Sequence, residues 1–185
     1  MRIIGGKLKG KKLLYIKNSI TRPLRDLVKE NIFNIIQHSK LVNIEINKSN
    51  VLDLYSGTGS FGIECLSRGA SNVIFIENDK NAIKILKKNI EDLSLKKKTD
   101  LFNLDIKKFI FNSNINFNLI FLDPPFNDNN YVETLKQIKE LKIYKKKHLI
   151  ILHRESKKNE FFDSSLKMLL VKKYGRSEIF FAEFN

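Results

Sequence analysis

The 185-residue chain carries 34 Lys and Arg residues against 20 Asp and Glu residues, which leaves a net charge of +14 at pH 7. With 42% hydrophobic residues it is long and apolar enough to bury one core, and this composition argues against disorder. One cysteine and three scattered histidines argue against a thiol-dependent or metal-dependent hydrolase, so we expect no metal site.

No apolar run approaches the roughly 20 residues that a bilayer-spanning helix needs, and the N-terminus lacks a signal-peptide pattern. We therefore predict a cytoplasmic protein without a membrane partner, and a monomer, since nothing in the sequence demands a dimer. The positive charge would attract a polyanion such as a nucleic acid. Because Lys, Asn and Ile are all abundant, AT-rich codons are an alternative source of part of this charge.

Residues 2–16 alternate basic and apolar side chains around glycines, a pattern typical of a short β-hairpin. Its lysines would form one basic strip that tracks phosphates, namely Lys7, Lys9, Lys11 and Lys12. The alternative is that these lysines only protect an exposed strand edge from aggregation. Apolar residues at helical spacing then predict a helix from Asp26 to Gln37.

From residue 50 onward, apolar strands alternate with helices, which predicts parallel strands covered by helices on both faces. The predicted strands are 51–55, 73–77, 101–104, 117–122, 149–152, 166–173 and 178–184. The predicted helices run from the glycine turn at 57–62 to Arg68, over 79–93 and over 130–141. The lysine runs 96–98 and 145–147 are interpreted as solvated loops.

The predicted fold class is therefore α/β, with a Rossmann-like, mostly parallel sheet. The last two strands have no helix between them and would form an antiparallel C-terminal hairpin. The whole chain is predicted to be one domain, with an N-terminal hairpin and helix at 1–40 and the core at 50–185.

Acidic residues end or follow four successive strands of this prediction, namely Asp53, Glu77, Asp105 and Asp123. Ligands of such sheets bind outside the carboxyl ends of the strands, so this pattern indicates a functional site. His153 follows the fifth strand, and we interpret it as a surface or loop residue, with a place in the cleft as the alternative.

The segment Gly57–Gly62 reads Gly-Thr-Gly-Ser-Phe-Gly between a strand and a helix, and Glu77 follows Gly57 by 20 residues. Glycines permit a tight turn and close approach to a ligand, and Glu77 can accept hydrogen bonds from ribose hydroxyls. Both NAD and S-adenosylmethionine (SAM) carry such a ribose. Asp53 would repel a pyrophosphate but suits a sulfonium or ammonium group, which favours SAM. The alternative is that Asp53 only caps the loop.

The most specific segment is Asp123-Pro124-Pro125-Phe126, directly after a buried strand. The prolines fix the backbone and remove two N–H donors, which leaves the Asp123 carboxylate and the Pro124 carbonyl as acceptors for an exocyclic amine. Phe126 offers a flat face on which a base can stack. The alternative is an ordinary turn with a strand-ending Asp and a core Phe.

Together these motifs resemble the class I SAM-dependent methyltransferases that modify exocyclic amines of bases. The opening MRIIGGKLKGKKL, then TRP and IFNII, VLDLYSGTGSFGIECLSRGA and DPPF more narrowly resemble the bacterial 16S rRNA guanine-N2 methyltransferases. This resemblance covers nearly the whole chain. It implies a class I methyltransferase sheet, SAM as cofactor, and 16S rRNA or the assembling small ribosomal subunit as partner.

The resemblance also implies roles for individual residues. The methionine end of SAM would be lined by Asp53, Ser56, Gly57 and Gly59. Glu77 would hold the ribose, Asp105 the adenine amine, and Ile106 would lie near the ring. The target amine would sit at Asp123, Pro124, Pro125 and Phe126, and the site would be closed by Thr21, Arg22 and Pro23.

The chain departs from the family pattern in the first helix and in the DPPF motif. Leu27 stands where the family usually has Arg, Arg25 stands where it has a small hydroxyl residue, and Phe126 replaces the more frequent Tyr. Three alternatives to rRNA methylation remain. They are an adenine-N6 DNA methyltransferase, a non-catalytic RNA-binding assembly protein and, last, an NAD-dependent oxidoreductase.

Overall fold

The computed structural model describes residues 1–16, 26–106, 115–156 and 164–185. The helices of these ranges are α1 (Asp26–His38), α2 (Ser60–Ser67), α3 (Lys80–Asp92) and α4 (Asn130–Leu141), and a 3-10 turn spans Lys96–Lys98. The strands are β1 (Asn50–Leu54), β2 (Asn72–Glu77), β3 (Thr99–Asn103), β4 (Phe117–Leu122), β5 (Tyr144–Glu155), β6 (Leu166–Tyr174) and β7 (Ser177–Phe184).

The described strands form one seven-stranded sheet in the order β3-β2-β1-β4-β5-β7-β6. β1 to β5 pair in parallel, whereas β7 runs antiparallel to both β5 and β6. The predicted α/β sheet with an antiparallel C-terminal hairpin is therefore confirmed. Because β1 to β5 are parallel, their carboxyl ends meet at one edge, and the acidic residues predicted from the sequence lie there.

Apolar cores cover both faces of the sheet, as expected when helices pack on each side. Val51 packs with Phe33 of α1 and Phe61 of α2, whereas its neighbour Leu52 packs with Tyr131 of α4. Successive side chains of a strand point to opposite faces, so strand β1 supplies both cores.

The N-terminal segment folds back on itself as the sequence predicts, but its pairing is short and irregular. Its two arms are joined by a bridge between Arg2 and Lys12, and the Ile3 N–H donates to the Lys11 carbonyl at 2.9 Å and the Leu13 N–H to the Met1 carbonyl at 3.0 Å. Residues 5–10 form the turns between the arms. Other backbone amides of this segment bond to α2: the Lys7 N–H, for example, donates to the Ser67 carbonyl at 2.7 Å. The segment is thus held both by its own pairing and by bonds to the core.

Strand β5 is longer than predicted, because it starts at Tyr144 instead of Leu149. The run 145–147, interpreted from the sequence as a loop, is therefore part of a strand, although its lysines are exposed as expected. A register shift opposite Phe117–Leu119 of β4 accommodates the extra residues. The same strand continues through His153, so the interpretation of His153 as a loop residue is wrong.

Candidate active site

A cleft of about 580 Å³ opens at the carboxyl edge of the sheet and brings most of the predicted site residues together. Its lining includes Asp53, Ser56, Gly57, Glu77, Asp123, Pro124, Pro125 and Phe126. A neighbouring pocket of about 160 Å³ is lined by Asp105 and Ile106 and shares Tyr55 and Glu77 with the cleft. Glu77 lines both cavities. A ligand whose ribose joins two chemically different ends could place the ribose at Glu77 and one end in each cavity.

The glycine turn shapes the floor of this cleft. Gly57 has φ +54° and a Cβ there would meet no atom within 4 Å, so the missing side chain leaves open space for a ligand. Gly59 does not line the cleft, in contrast to the prediction. It has φ +83° and caps α2, and a Cβ would lie 2.3 Å from Leu86 Cδ1, so this glycine permits the turn and the packing.

Asp53 lies at the bottom of the cleft, where its carboxylate Oδ2 accepts the Gly62 N–H at 2.9 Å. Oδ1 is buried and has no hydrogen-bond partner within the ranges that the structure describes. Burial raises the pKa of Asp53 well above its usual value, and the nearby Asp123 and Glu77 carboxylates add to the shift. Both the loop-capping role and a free acceptor for a cation are therefore present in one side chain.

This geometry fits a cationic ligand better than a pyrophosphate. The first turn of α2, where a Rossmann fold would place a phosphate, already donates the Gly62 N–H to a carboxylate. An unpartnered buried acceptor is costly, and an ammonium or sulfonium group would satisfy it. The residues therefore fit the amino-acid end of SAM, with Asp53, Ser56 and Gly57 as the groups that would hold it.

Glu77 ends β2, and its carboxylate accepts more hydrogen bonds from the protein than the predicted contact with a ribose requires. Oε2 accepts the Gly57 N–H at 2.7 Å, and Oε1 accepts the Asn78 and Asp79 N–H groups, both at 2.9 Å. Three of the about four acceptor positions of a carboxylate are thus used. A ribose hydroxyl would take the position left on Oε2, so Glu77 fastens the glycine turn as well as facing the cleft.

The DPPF turn forms the opposite wall and is held by two residues of β5. The guanidinium of Arg154, which is fully buried, donates to the Pro125 carbonyl at 3.0 Å and to the Phe126 carbonyl at 3.1 Å. His153 Nδ1 lies 2.8 Å from Asp123 Oδ1. The carboxylate and the aromatic ring that the sequence singled out are therefore fixed beside each other at the rim.

Arg154 is a site residue that the sequence analysis missed, and His153 has the place in the cleft that the sequence analysis gave only as the alternative. His153 is buried, its Nε2 lies 2.9 Å from Ser177 Oγ, and its ring meets the Phe126 ring edge-on at a centroid distance of 5.7 Å. Two adjacent basic residues at the carboxyl end of an apolar strand were the available signal. They occupy the same edge as the four acidic residues.

The basic loop residues Lys7, Lys9, Lys11 and Lys12 are all exposed. Both ends of the loop reach the cleft, because Met1 and Ile16 line it, while the turn at Gly6 lies against the far end of α2. The lysines therefore extend from the cleft along the outside of α2. The predicted lid residues Thr21, Arg22 and Pro23, and Arg25, lie outside the described residues, and Leu27 is exposed on α1.

In the described ranges, no group of three or more His, Cys, Asp or Glu side chains is placed to hold a metal ion. No helix in that part of the chain is both long and apolar enough to cross a membrane.

Comparison with known proteins identifies the family. The model of the family described as "Conserved hypothetical protein 95" matches residues 1–183. Ribosomal RNA small subunit methyltransferase D of Haemophilus influenzae is 34% identical over 161 residues, which cover 85% of this chain and 80% of that protein. The Bacillus subtilis protein YlbH is 33% identical over 158 residues, 84% of this chain and 83% of that protein.

Solved structures give the same result for the fold. The Escherichia coli protein yhhF matches with a TM-score of 0.84 at 26% identity, over 100% of this chain and 98% of that chain. The H. influenzae protein HI0767 matches with a TM-score of 0.76 at 31% identity, over 98% and 96%. The resemblance, the fold class and SAM as cofactor are therefore confirmed, and the chain belongs to the ribosomal RNA small subunit methyltransferase D family of SAM-dependent class I methyltransferases.

Proposed function

We propose that this protein transfers a methyl group to the exocyclic N2 of a guanine in 16S rRNA of the small ribosomal subunit. The observation that supports it most is that one cleft is lined by the Asp123 carboxylate, the Phe126 ring and Asp53, whose buried Oδ1 has no partner among the described residues. A base amine and a cationic methyl donor would thus meet between two carboxylates. The family's relatives named for small-subunit rRNA support the choice of substrate.

The DPPF turn would act by holding the amine and not by supplying a strong base. Asp123 and the Pro124 carbonyl would each accept one N–H of N2, and the lone pair of N2 would then point toward the donor. Phe126 would hold the guanine ring by stacking. Arg154 uses the carbonyls of Pro125 and Phe126, so the two acceptors proposed for the amine are not those that the guanidinium occupies.

SAM, when bound, supplies a methyl group on a positively charged sulfur. The N2 lone pair forms the new N–C bond, the electrons of the C–S bond stay on sulfur as a neutral thioether, and the cationic N2 releases one proton to water. Asp123 would stabilise the positive charge that develops on N2. No metal ion is required in this scheme.

The substrate would be bound largely through its phosphates. The exposed lysines of the N-terminal loop extend away from the cleft, so they could follow the backbone that flanks a splayed-out guanine. We infer that the protein acts as a cytoplasmic monomer, and that its substrate is either free 16S rRNA or an assembling particle.

The proposal is tested by incubating the protein with methyl-labelled SAM and small subunits or 16S rRNA that lack the modification, with DNA as a parallel substrate. Nucleoside analysis should find the label as N2-methylguanosine, and mapping should place it at one nucleotide that is unmodified in cells without the gene. Label on adenine N6 of DNA, or no transfer to any of these substrates, would refute it.

A matched pair of variants assigns the reaction to the DPPF turn. Asp123→Asn should lower the transfer rate roughly 10²- to 10³-fold while SAM binding persists, because the charge beside the amine is lost. Asp100→Asn makes the same chemical change on β3, where the Asp100 carboxylate accepts the Asn72 amide at the opposite edge of the sheet. It should leave the rate unchanged. If the protein is instead a non-catalytic assembly protein, the Asp123→Asn variant should still support ribosome assembly.

A further inference from the structure

We propose that His153 is a positioning residue for methyl transfer, which orients the Asp123 carboxylate so that its Oδ2 faces the amine. The proposal rests on the function proposed above. It is carried by a chain of contacts across three strands, in which Ser177 Oγ of β7 lies 2.9 Å from His153 Nε2 and His153 Nδ1 lies 2.8 Å from Asp123 Oδ1.

The hydrogen bonds define what each atom of His153 does. Asp123 can only accept when ionised, so Nδ1 carries the proton and donates it to Oδ1. In the neutral ring, Nε2 then accepts from the Ser177 hydroxyl, and in the charged ring it donates to the same oxygen. Ser177 serves both states, so the ring stays in place and Oδ1 stays engaged. Oδ2 is the oxygen that this arrangement leaves for a ligand.

The packing of His153 makes this orientation rigid. Its side chain is 9% exposed, whereas that of Asp123 is 22% exposed, so a buried group holds one that reaches the cleft. The edge-on contact with Phe126 also fixes the ring proposed to stack on the base, at an interplanar angle of 87°. One side chain therefore contacts both substrate-facing groups of the DPPF turn.

Because His153 can become charged, the proposed role predicts a pH dependence of methyl transfer that a purely structural role would not produce. Burial lowers the pKa of His153, but the adjacent Asp123 carboxylate outweighs it, so the pKa lies above its usual value. An imidazolium would partly neutralise Asp123 just where N2 becomes cationic, so transfer should slow as the pH falls through this pKa. Among the described residues, the other titratable or charged groups on the surrounding elements include Asp53 of β1, Glu77 of β2, Asp128 before α4, Arg154 and Glu155 of β5, Arg176 of the β6–β7 turn and Glu178 of β7.

Two substitutions separate the effect of the hydrogen bond to Asp123 from the effect of the charge on His153. His153→Asn places an amide near the position of Nδ1 and can still donate to Asp123, but it does not titrate. His153→Leu removes both properties. We expect kcat to fall roughly 10- to 100-fold in His153→Leu and only a few-fold in His153→Asn, with the KM for SAM unchanged in both, since misplacement of a reacting group acts on the chemical step.

The pH profile and a control variant complete the test. Between pH 6 and pH 9, the acid-side decline of kcat in the wild type should be absent from His153→Asn. His148→Leu is the control, because His148 is also buried on β5 but bonds to Lys145 and Phe184, away from the cleft. It should lose stability with normal kcat per folded molecule. Equal kcat in His153→Leu and wild type, or an unchanged acid limb in His153→Asn, overturns the inference.

A readout in the cofactor-free protein keeps the inference distinct from the proposed function. In ¹⁵N NMR, His153 should carry its proton on Nδ1, and Asp123→Asn should shift its titration to lower pH. A titration that Asp123→Asn leaves in place contradicts the inference. If wild-type protein methylates no guanine N2, the proposed function fails; if it does and the His153 variants match it, only the present inference fails.

Discussion

The two carboxylate oxygens of Asp53 have opposite effects on the stability of the protein. Its Oδ2 caps the start of α2, while its buried Oδ1 has no partner among the described residues. A carboxylate in such a place costs stability when it is ionised, and enzymes accept that cost where a ligand satisfies the charge. The unpartnered oxygen is therefore better explained by binding than by the fold.

Replacement of Asp53 by Asn should weaken SAM binding and stabilise the free protein. The amide oxygen can still accept the Gly62 N–H, but the charge opposite the ligand's ammonium is gone. A hydrogen bond to a charged group is worth about 1.5–3 kcal/mol, so we expect Kd for SAM to rise roughly 10- to 100-fold. Calorimetry measures the affinity, and urea unfolding measures the stability.

The pH dependence provides the control for this prediction. Because burial raises the pKa of Asp53 in the folded state, its contribution to stability is greatest below its unfolded pKa of about 3.9 and is lost as the pH rises toward the folded value. The advantage of Asp53→Asn should therefore grow as the pH rises from the unfolded pKa toward the folded one. SAM binding to the wild type should release a proton, which calorimetry in two buffers detects. Proton-neutral binding and equal affinity of the variant would contradict the argument.

At the scale of elements, the N-terminal loop is fastened to the core by buried polar groups. The carboxylate of Glu64 on α2 accepts the Ile4 N–H at 2.8 Å and the Gly5 N–H at 2.7 Å, and it lies 3.7 Å from the buried ammonium of Lys29 on α1. Asn89 of α3 exchanges two hydrogen bonds with Leu14. Three helices thus position the segment that carries the predicted phosphate contacts.

Two glycines of this loop provide a matched test of that attachment. Gly6 and Gly10 have similar φ values, +74° and +86°, but a Cβ on Gly6 would lie 1.9 Å from the Ser67 carbonyl oxygen whereas one on Gly10 would meet nothing within 4 Å. Gly10→Ala should cost about 1–2 kcal/mol through its backbone alone. Gly6→Ala should cost a further ~1–3 kcal/mol, because the loop must move away from α2.

Urea unfolding compares the two free energies of unfolding, and a gel-shift assay with 16S rRNA compares the affinities. Gly6→Ala should bind RNA more weakly than Gly10→Ala, since only the former displaces the lysines from their line along α2. Indistinguishable variants would show that the loop is not fixed against this helix.

Contacts between elements give a physical reason for two of the motifs that resemble the family. The opening residues and the segment at the end of α2 are far apart in sequence but touch through Gly5, Gly6 and Ser67. Ser67 Oγ donates to the Gly5 carbonyl and accepts the Leu8 N–H. Two of the segments that resemble the family thus form one interface.

For the whole molecule, regular alternation of strands and helices was enough to predict the sheet and the edge at which ligands bind. Strand and helix periods are local properties, so the ends of β1, β2 and β4 could be found within one or two residues. The acidic residues at those ends could be placed at one edge for the same reason.

The remaining features depend on contacts between distant segments. His153 meets Asp123 and Ser177 only because β5 lies between β4 and β7, a neighbourhood that no local pattern encodes. The N-terminal loop was predicted as paired strands because its alternation is typical of a hairpin. That pairing is present in part, but the amides of Ile4, Gly5 and Lys7 bond to Glu64 and Ser67, which lie about 60 residues away in the chain.

The net charge of +14 raises the question of whether RNA is attracted by the whole molecule or by the N-terminal loop. Two lysine triplets allow the comparison, because Lys7, Lys9 and Lys11 lie on the loop whereas the run 145–147 starts β5, at the edge opposite the cleft. Reversal of either triplet to Glu changes the net charge by the same amount. If the electric field of the whole protein attracts RNA, both reversals should weaken RNA binding equally. If the loop lysines contact phosphates specifically, only the loop reversal should weaken it.

We expect the loop triplet to matter far more. Each lost phosphate contact lowers the slope of log affinity against log salt by about 0.7–0.9, so reversal of the loop triplet should reduce the slope by about 2 to 3 and raise KM for the RNA substrate. Reversal of run 145–147 should change the slope by less than one such contact, and kcat should persist in both variants because neither triplet lines the cleft. Equal slopes would assign the attraction to net charge alone and leave the loop lysines as protection of an exposed edge.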